Sequence, residues 1–253
     1  MTFPTLDLLC LPRELREKVW EFAISDEPEA FLLEPGMKPT QFFYAQSLPP
    51  AAFVLHSLFE EVFLVWLRAR VLEIRFNTTI PADFVRWMDT IADSRAWANV
   101  KNLRLTATLR VYEPDLHQTT GLYNAADLIS RATTLQHLTI TISSLSVTHF
   151  DPKTSYFTHV KPVDDILATF DFSNILRCER LKTLTIYCCP TWKGDRCLEA
   201  EDLNCQPHDM FVPLCHWFLC AFEEKGRTVQ VRGKLDRRGK KWSEGSGWDW
   251  TRD

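Results

Sequence analysis

Cysteine and histidine residues are concentrated in residues 188–215. Their thiolate sulfur and imidazole nitrogen atoms are the groups that bind zinc in proteins, so metal binding is the chemistry to consider here. The segment contains Cys188, Cys189, Cys197, Cys205, His208 and Cys215. Structural zinc sites usually hold ligand pairs separated by about two to four residues, and only the pair Cys205-x-x-His208 has this spacing. The spacing therefore predicts ordinary thiols and no bound metal, with a zinc site in this segment as the alternative.

Glycine is too scarce for a phosphate-binding loop. Of the eight glycines only Gly36, Gly121 and Gly194 precede Gly226, so no cluster exists in which backbone N–H groups could surround a phosphate. The chain also has no Gly-x-Ser-x-Gly elbow and no His-Glu-x-x-His helix. These absences predict a protein that is not an enzyme and that has neither catalytic residues nor a cofactor.

The net charge and the hydropathy of the sequence restrict the classes of partner that we expect for this protein. A formal net charge of −4 and a sequence pI of about 6.0 weigh against general nucleic-acid binding, which needs a basic surface. The N-terminus lacks a charged and apolar leader, and the most apolar segment, residues 51–67, is interrupted by His56, Glu60 and Glu61. We therefore expect a cytoplasmic or nuclear protein with no membrane contact, whose cysteines are mostly reduced.

The element with the clearest start is a helix over residues 11–24. Pro12 suits the first helical position, where its missing N–H costs nothing. Apolar residues recur on one side at helical spacing, and charged residues cover the other side. The apolar stripe consists of Leu11, Leu15, Val19, Phe22 and Ala23. The next segment, residues 26–50, holds five prolines and predicts a loop with a short strand near residues 30–33.

Further along the chain, helices are predicted over residues 51–68 and 84–97, and then an internal repeat appears. Its copies are Val100-x-x-Leu103-x-Leu105, Leu135-x-x-Leu138-x-Ile140, Leu181-x-x-Leu184-x-Ile186 and a weaker Ala69-x-x-Leu72-x-Ile74. This is the strand pattern of a leucine-rich repeat. The copies are 31, 35 and 46 residues apart, counted from positions 69, 100, 135 and 181, whereas regular repeats run about 20–29 residues.

Helices are predicted between the strands, over residues 122–132, 163–176 and 210–224, and a last strand over residues 228–232. Strands that alternate with helices predict a mainly parallel sheet. We therefore expect an irregular α/β array over residues 69–232 in which Leu72, Leu103, Leu138 and Leu184 face one helical layer. Residues 233–253 are basic and carry tryptophans, and we interpret them as a flexible tail or, alternatively, a nuclear-import signal.

The sequence of the N-terminal helix resembles the first residues of a known family of proteins. Leu-Pro-Arg-Glu-Leu-Arg-Glu-Lys-Val-Trp-Glu-Phe-Ala-Ile at residues 11–24 is similar to the Leu-Pro-x-Glu-Leu-Arg-x-x-Ile-Trp start of fungal F-box-like proteins. A related fungal domain has two Glu-x-Arg triplets, and residues 14–16 match the first of them. The second triplet is missing from residues 55–62. The resemblance implies that residues 1–68 form a helical F-box-like module with a Pro-rich insertion.

The resemblance also implies a function. F-box proteins dock on a Skp-type adaptor of a cullin-RING ubiquitin ligase, and a repeat array presents the protein target. The docking residues implied here are Leu11, Pro12, Leu15, Val19 and Trp20. Two alternatives stand beside this hypothesis: the stripe could pack on the helix over residues 51–68, and the chain could be a scaffold that keeps the fold without docking a ligase.

Overall fold

The structure is a computed structural model, and it describes residues 8–25, 30–33, 58–76, 82–91, 95–107, 120–143, 147–151, 156–169, 172–189, 211–235 and 248–250. Seven α-helices lie in these ranges: α1 Arg13–Ala23, α2 Phe59–Ala69, α3 Ala82–Thr90, α4 Thr120–Arg131, α5 Val163–Thr169, α6 Ser173–Arg177 and α7 Val212–Glu224. The strands are β1 Ala30–Leu33, β2 Val71–Phe76, β3 Asn102–Ala107, β4 His137–Ser143, β5 Thr148–Asp151, β6 Tyr156–Val160, β7 Thr183–Cys189, β8 Gln230–Leu235 and β9 Trp248–Trp250. None of the described helices is long and apolar enough to cross a membrane.

Six strands form a parallel sheet in the order β1-β2-β3-β4-β7-β8. Leu72 aligns with Leu103, Leu103 with Leu138, and Leu138 with Leu184. All four side chains are buried in one core together with residues from the helices. The predicted α/β class, the parallel sheet and the alignment of the four leucines are therefore confirmed.

The two outer parallel strands, β1 and β8, follow the same register without matching the leucine pattern. Phe31 aligns with Leu72, and Val231 aligns with Leu184. The strand predicted near residues 30–33 is confirmed at Ala30–Leu33, and the one predicted over residues 228–232 is displaced to Gln230–Leu235. Phenylalanine and valine fill the leucine positions here, so a search for leucine spacing does not find these two copies.

The helix predicted over residues 163–176 is wrong, because two short helices occupy this segment. Helix α5 ends at Thr169 and α6 begins at Ser173. The two pack on different neighbours, α5 on α7 and α6 on α4, so tertiary packing divides the apolar pattern. The helix predicted over residues 84–97 is also shorter, since α3 ends at Thr90 and Trp97–Asn99 is a separate 3-10 turn.

The N-terminal module and the array share one sheet. Strand β1 belongs to the predicted module of residues 1–68, yet it pairs in parallel with β2 of the array. A single core cluster runs from Trp20 in α1 to Val231 in β8. Residue 68 therefore does not separate two independent cores in the described structure, although α1 and α2 pack on each other as one helical pair.

The predicted flexible tail begins too early and contains a strand. Residues 233–235 continue β8, and β9 pairs antiparallel with β8 at the edge of the sheet. Backbone pairing thus places residues 248–250 in the sheet, although the composition of the predicted tail is typical of a solvated terminus. The basic residues between these strands lie outside the described residues, so the nuclear-import hypothesis stays a prediction. Strands β5 and β6 form a separate antiparallel hairpin that the sequence patterns did not predict.

Candidate functional site

Helix α1, together with Leu11 and Pro12, contains the predicted docking residues. Pro12 lies at the N-cap, one position before the first helical residue, and its carbonyl accepts the backbone N–H groups of Leu15 and Arg16. Because proline has no N–H to leave unpaired, it fits this end of a helix. An ion pair one turn apart, Arg13 Nε to Glu17 Oε1 at 3.0 Å, supports the exposed first turn.

One face of α1 is held on α2 by a shared carboxylate. Arg16 donates two parallel hydrogen bonds to Glu61, from Nε to Oε1 at 3.0 Å and from Nη2 to Oε2 at 2.7 Å. The indole Nε1 of Trp20 donates to Glu61 Oε1 at 2.9 Å. Trp20 itself is only 4% exposed and belongs to the core. This arrangement fixes the rotation of α1 about its own axis, because both bonded residues must face α2.

The electrostatics of this contact favour the ionised carboxylate. The hydrogen bond from Arg16 holds the pKa of Glu61 below its ordinary value, and the Trp20 N–H and the positive charges of Arg16 and Arg13 act in the same direction. Partial burial opposes this shift without overcoming it. The pKa of Arg16 is raised by the same bond. Glu61 therefore remains charged at neutral pH and keeps α1 attached.

A second set of contacts holds the middle of α1 and the residues at its C-terminal end. Arg68 of α2 donates from Nη1 to Glu17 Oε2 at 3.1 Å, and Arg70 donates from Nη2 to the carbonyl oxygens of Ile24 and Ser25. Ile24 is buried in the core directly after the helix ends. Both ends of α1 are thus fixed to α2 and to the residue that follows α2.

The opposite face of α1 presents apolar side chains to solvent. Leu15 is 53% exposed, Val19 36% and Phe22 82%. Their spacing of four and then three residues places them on one side of the helix, and we call them the α1 stripe. In the part of the chain that the structure describes, four large apolar side chains are exposed, and all of them lie within residues 9–22. They are Leu9 and the three members of the α1 stripe. Such a concentration is typical of an interaction surface, whereas single exposed apolar residues are ordinary.

The structure separates Trp20 from the other four predicted docking residues. Leu15 and Val19 belong to the α1 stripe, Pro12 is exposed beside it, and Leu11 is partly buried. Trp20 lies in the core, so its indole is not available to a partner and its role is to support the helix. Phe22, the most exposed member of the stripe, was not among the predicted docking residues. Its position seven residues after Leu15 is the signal that could have identified it.

The alternative that the stripe packs on the second helix is wrong for Leu15, Val19 and Phe22. Contact between α1 and α2 runs through Arg16, Glu17 and Trp20, which lie on the other side of α1. A long-range ion pair therefore decides which apolar side of α1 faces the core.

The described cysteines show no metal site. No group of three or more His, Cys, Asp or Glu side chains in the described ranges could hold a metal ion. Burial raises the pKa of the Cys215 thiol to about 12, so this group is a neutral thiol in the core of the protein. Cys197, Cys205 and His208 lie outside the described residues, and the zinc alternative stays a prediction.

The α1 stripe is accordingly the candidate functional site: an apolar surface on a helix whose other face is fixed by hydrogen bonds and burial. It can bind a complementary apolar surface and offers no group for covalent or acid–base chemistry. No protein-family model, curated protein or solved structure matches the chain significantly.

Proposed function

We propose that the chain is a non-catalytic interaction protein whose α1 stripe docks on a Skp-type adaptor of a cullin-RING ubiquitin ligase. In this proposal the strand–helix array holds the protein target, and ubiquitin transfer takes place on other subunits. The single observation that carries the proposal is the exposure of Leu15, Val19 and Phe22 on a helix that is otherwise fixed. The F-box-like residues at 11–24 supply the identity of the partner.

The main physical argument for docking is that α1 already has a fixed position before a partner binds. Because Arg16 and Trp20 already fix α1, little conformational freedom is lost when a partner covers the stripe. Burying the exposed parts of the three side chains contributes on the order of 3–4 kcal/mol in total, most of it from Phe22 and Leu15. The stripe is small for a complete interface, so the adaptor must also contact the polar residues that surround it.

Affinity purification of the full chain from its native cell tests the proposal. The expected result is recovery of the adaptor and the cullin with the unchanged chain. Leu15→Asp should abolish that recovery, because burying an unpaired carboxylate in an apolar interface costs more than the roughly 2–7 kcal/mol of an unpaired neutral polar group. Ala168→Asp adds the same charge at an exposed helical position far along the chain and should leave recovery unchanged. Equal soluble yield and melting temperature of both variants show that they are folded.

A second candidate function is a scaffold or regulatory protein that keeps this fold without binding a ligase. The pairing of β1 with β2 favours it, because the N-terminal module is built into the sheet and is not a separate domain. The same purification distinguishes the two functions. Partners that depend on Leu15 but include neither adaptor nor cullin would support the scaffold and overturn the ligase proposal.

A further inference from the structure

One edge of the large sheet is occupied by a strand that runs against the direction of all the others. Strands β1, β2, β3, β4, β7 and β8 are parallel, whereas β9 pairs antiparallel with β8. The outer edge of β8 therefore accepts a strand from outside the parallel array. An edge of this kind presents backbone N–H and C=O groups, which can pair with any extended chain that reaches them.

Strand β9 is short compared with the edge on which it lies. It consists of three residues, Trp248–Trp250, and pairs with residues 231–233 of β8. Strand β8 has six residues, Gln230–Leu235, so half of its positions have no partner in β9. A longer extended segment can pair along the whole of β8 and form more backbone hydrogen bonds than β9 does. The edge thus carries a strand that a longer one can replace.

The register of β9 places aromatic residues on the core side of this edge. Trp250 lies opposite Val231, and Trp248 lies opposite Gly233. Val231 and Gly233 are both buried, and residues directly opposite each other on paired strands share one face of the sheet. A glycine within a strand leaves a gap, and an aromatic residue at the paired position is a known way to fill it. The edge therefore favours two aromatic residues with one residue between them.

At the middle position the register places an acidic residue opposite an arginine. Asp249 lies opposite Arg232, whose side chain is on the other face of the sheet because side chains alternate along a strand. Arg232 also donates from Nη2 to Gln230 Oε1 at 2.8 Å, on its own strand. Opposite charges at paired positions stabilise a sheet, whereas like charges destabilise it. The edge of β8 thus fits the sequence pattern aromatic–acidic–aromatic.

The covalent connection makes β9 an effective competitor in spite of its shortness. Residues 236–247 connect the end of β8 to the start of β9. Hairpin loops usually have about 2–5 residues, so this connection is not a tight turn that would force the two strands to pair. It nevertheless keeps β9 at a roughly millimolar effective concentration beside the edge. A second strand replaces β9 only if it forms more contacts or is present at a higher concentration.

We propose that the outer edge of β8 is a strand-binding site that β9 blocks in the isolated chain, and that an extended segment of a protein target with the pattern aromatic–acidic–aromatic replaces β9 there. The target segment adds to the sheet as an antiparallel strand. The proposal deepens the proposed function by naming where the array holds its target and which pattern it recognises. It rests on the proposed function only for the identity of that target as a ligase substrate.

Fluorescence anisotropy with the full chain and a labelled peptide tests this proposal. The probe is a synthetic peptide with the sequence of residues 243–253, and its control contains the same residues in an order that makes the two tryptophans adjacent. The variant W248S/W250S weakens β9 and should bind the probe at least about tenfold more tightly than the unchanged chain does. The control variant W242S removes a tryptophan outside β9 and should bind like the unchanged chain.

A second variant keeps the test decisive if the loss of both tryptophans unfolds the chain. D249K retains them and places a like charge opposite Arg232, so it should also bind the probe more tightly than the unchanged chain. Melting temperatures show whether each variant is folded. Unfolding of both variants would show that β9 is an integral part of the fold, and would overturn the proposal.

Three further results would overturn it. These are equal binding of the probe by the unchanged chain and the β9 variants, equal binding of the probe and the control peptide, and dimers of the unchanged chain that W248S/W250S abolishes. The last result would assign the edge to a second copy of the chain. Failure of the docking proposal is distinguishable, since W248S/W250S should still recover the adaptor and Leu15→Asp should not alter peptide binding.

Discussion

Helices α1 and α2 have the same length and both carry a continuous apolar side, yet they lie in very different environments. In α2 six consecutive residues, Val62–Leu67, are buried. In α1 only Trp20 is buried, and the α1 stripe is exposed. The contrast shows that an apolar stripe in the sequence predicts a surface that becomes buried. It does not predict whether that surface is buried in the protein's own core or against a partner. In this chain the decision depends on Glu61, which draws Arg16 and Trp20 inward.

The largest expected effect comes from comparing two phenylalanines of the two helices. Phe63 in α2 is fully buried and contacts the rings of Phe59, Trp66 and Trp87. Phe63→Ala should lower the free energy of unfolding by about 3–5 kcal/mol. Phe22→Ala, at 82% exposure, should change it by less than about 0.5 kcal/mol. Urea denaturation of both variants measures the difference, and similar losses would mean that Phe22 is part of the core.

Two adjacent residues of α1 sharpen the comparison within one helix. Trp20→Ala removes a buried ring and its hydrogen bond to Glu61, and should destabilise the protein by about 3–5 kcal/mol. Val19→Ala, on the exposed side, should have an effect below about 1 kcal/mol. Thermal unfolding followed by circular dichroism compares them. A loss from Val19→Ala as large as that from Trp20→Ala contradicts the described orientation of α1.

A smaller effect is expected from the charge on Glu61. Its pKa is lowered in the folded protein, so its contribution to stability is present above the ordinary value of 4.5 and is lost as the pH falls through the folded pKa. Glu61→Gln should therefore lower the melting temperature at neutral pH, and the gap from the unchanged chain should close in acid. Glu224→Gln, at the exposed end of α7, serves as the control. A gap that persists at pH values below the folded pKa would show that packing, and not charge, holds α1.

The sheet could be predicted from sequence because its information is local and repeated. Each Leu-x-x-Leu-x-Leu segment specifies both a strand and the side that faces the core, and parallel register follows when such segments stack. Strand β9 and the division between α5 and α6 could not be predicted in this way. Both depend on contacts with residues distant in the chain, namely β8 for the strand and α4 and α7 for the helices.

The candidate functional site, too, could be predicted only in part from the sequence. The helix at residues 13–23 and its apolar stripe are evident from spacing, but the orientation of the stripe is not. Arg16 and Glu61 are 45 residues apart, and nothing in the local pattern predicts that they pair. The ion pair between Arg104 and Glu73 is similar, since the two residues belong to different strands, 31 residues apart, and meet only after the strands align.

Isothermal titration of the purified full chain with a purified Skp-type adaptor tests the central claim most directly. The account predicts binding with a negative heat-capacity change, as expected when the apolar α1 stripe is buried. Leu15→Asp should abolish the binding while its melting temperature stays within about 4 °C of the unchanged chain, the shift that roughly 1 kcal/mol produces in a protein of this size. No binding by the unchanged chain, or a Leu15→Asp variant that binds as tightly as the unchanged chain, would contradict the account.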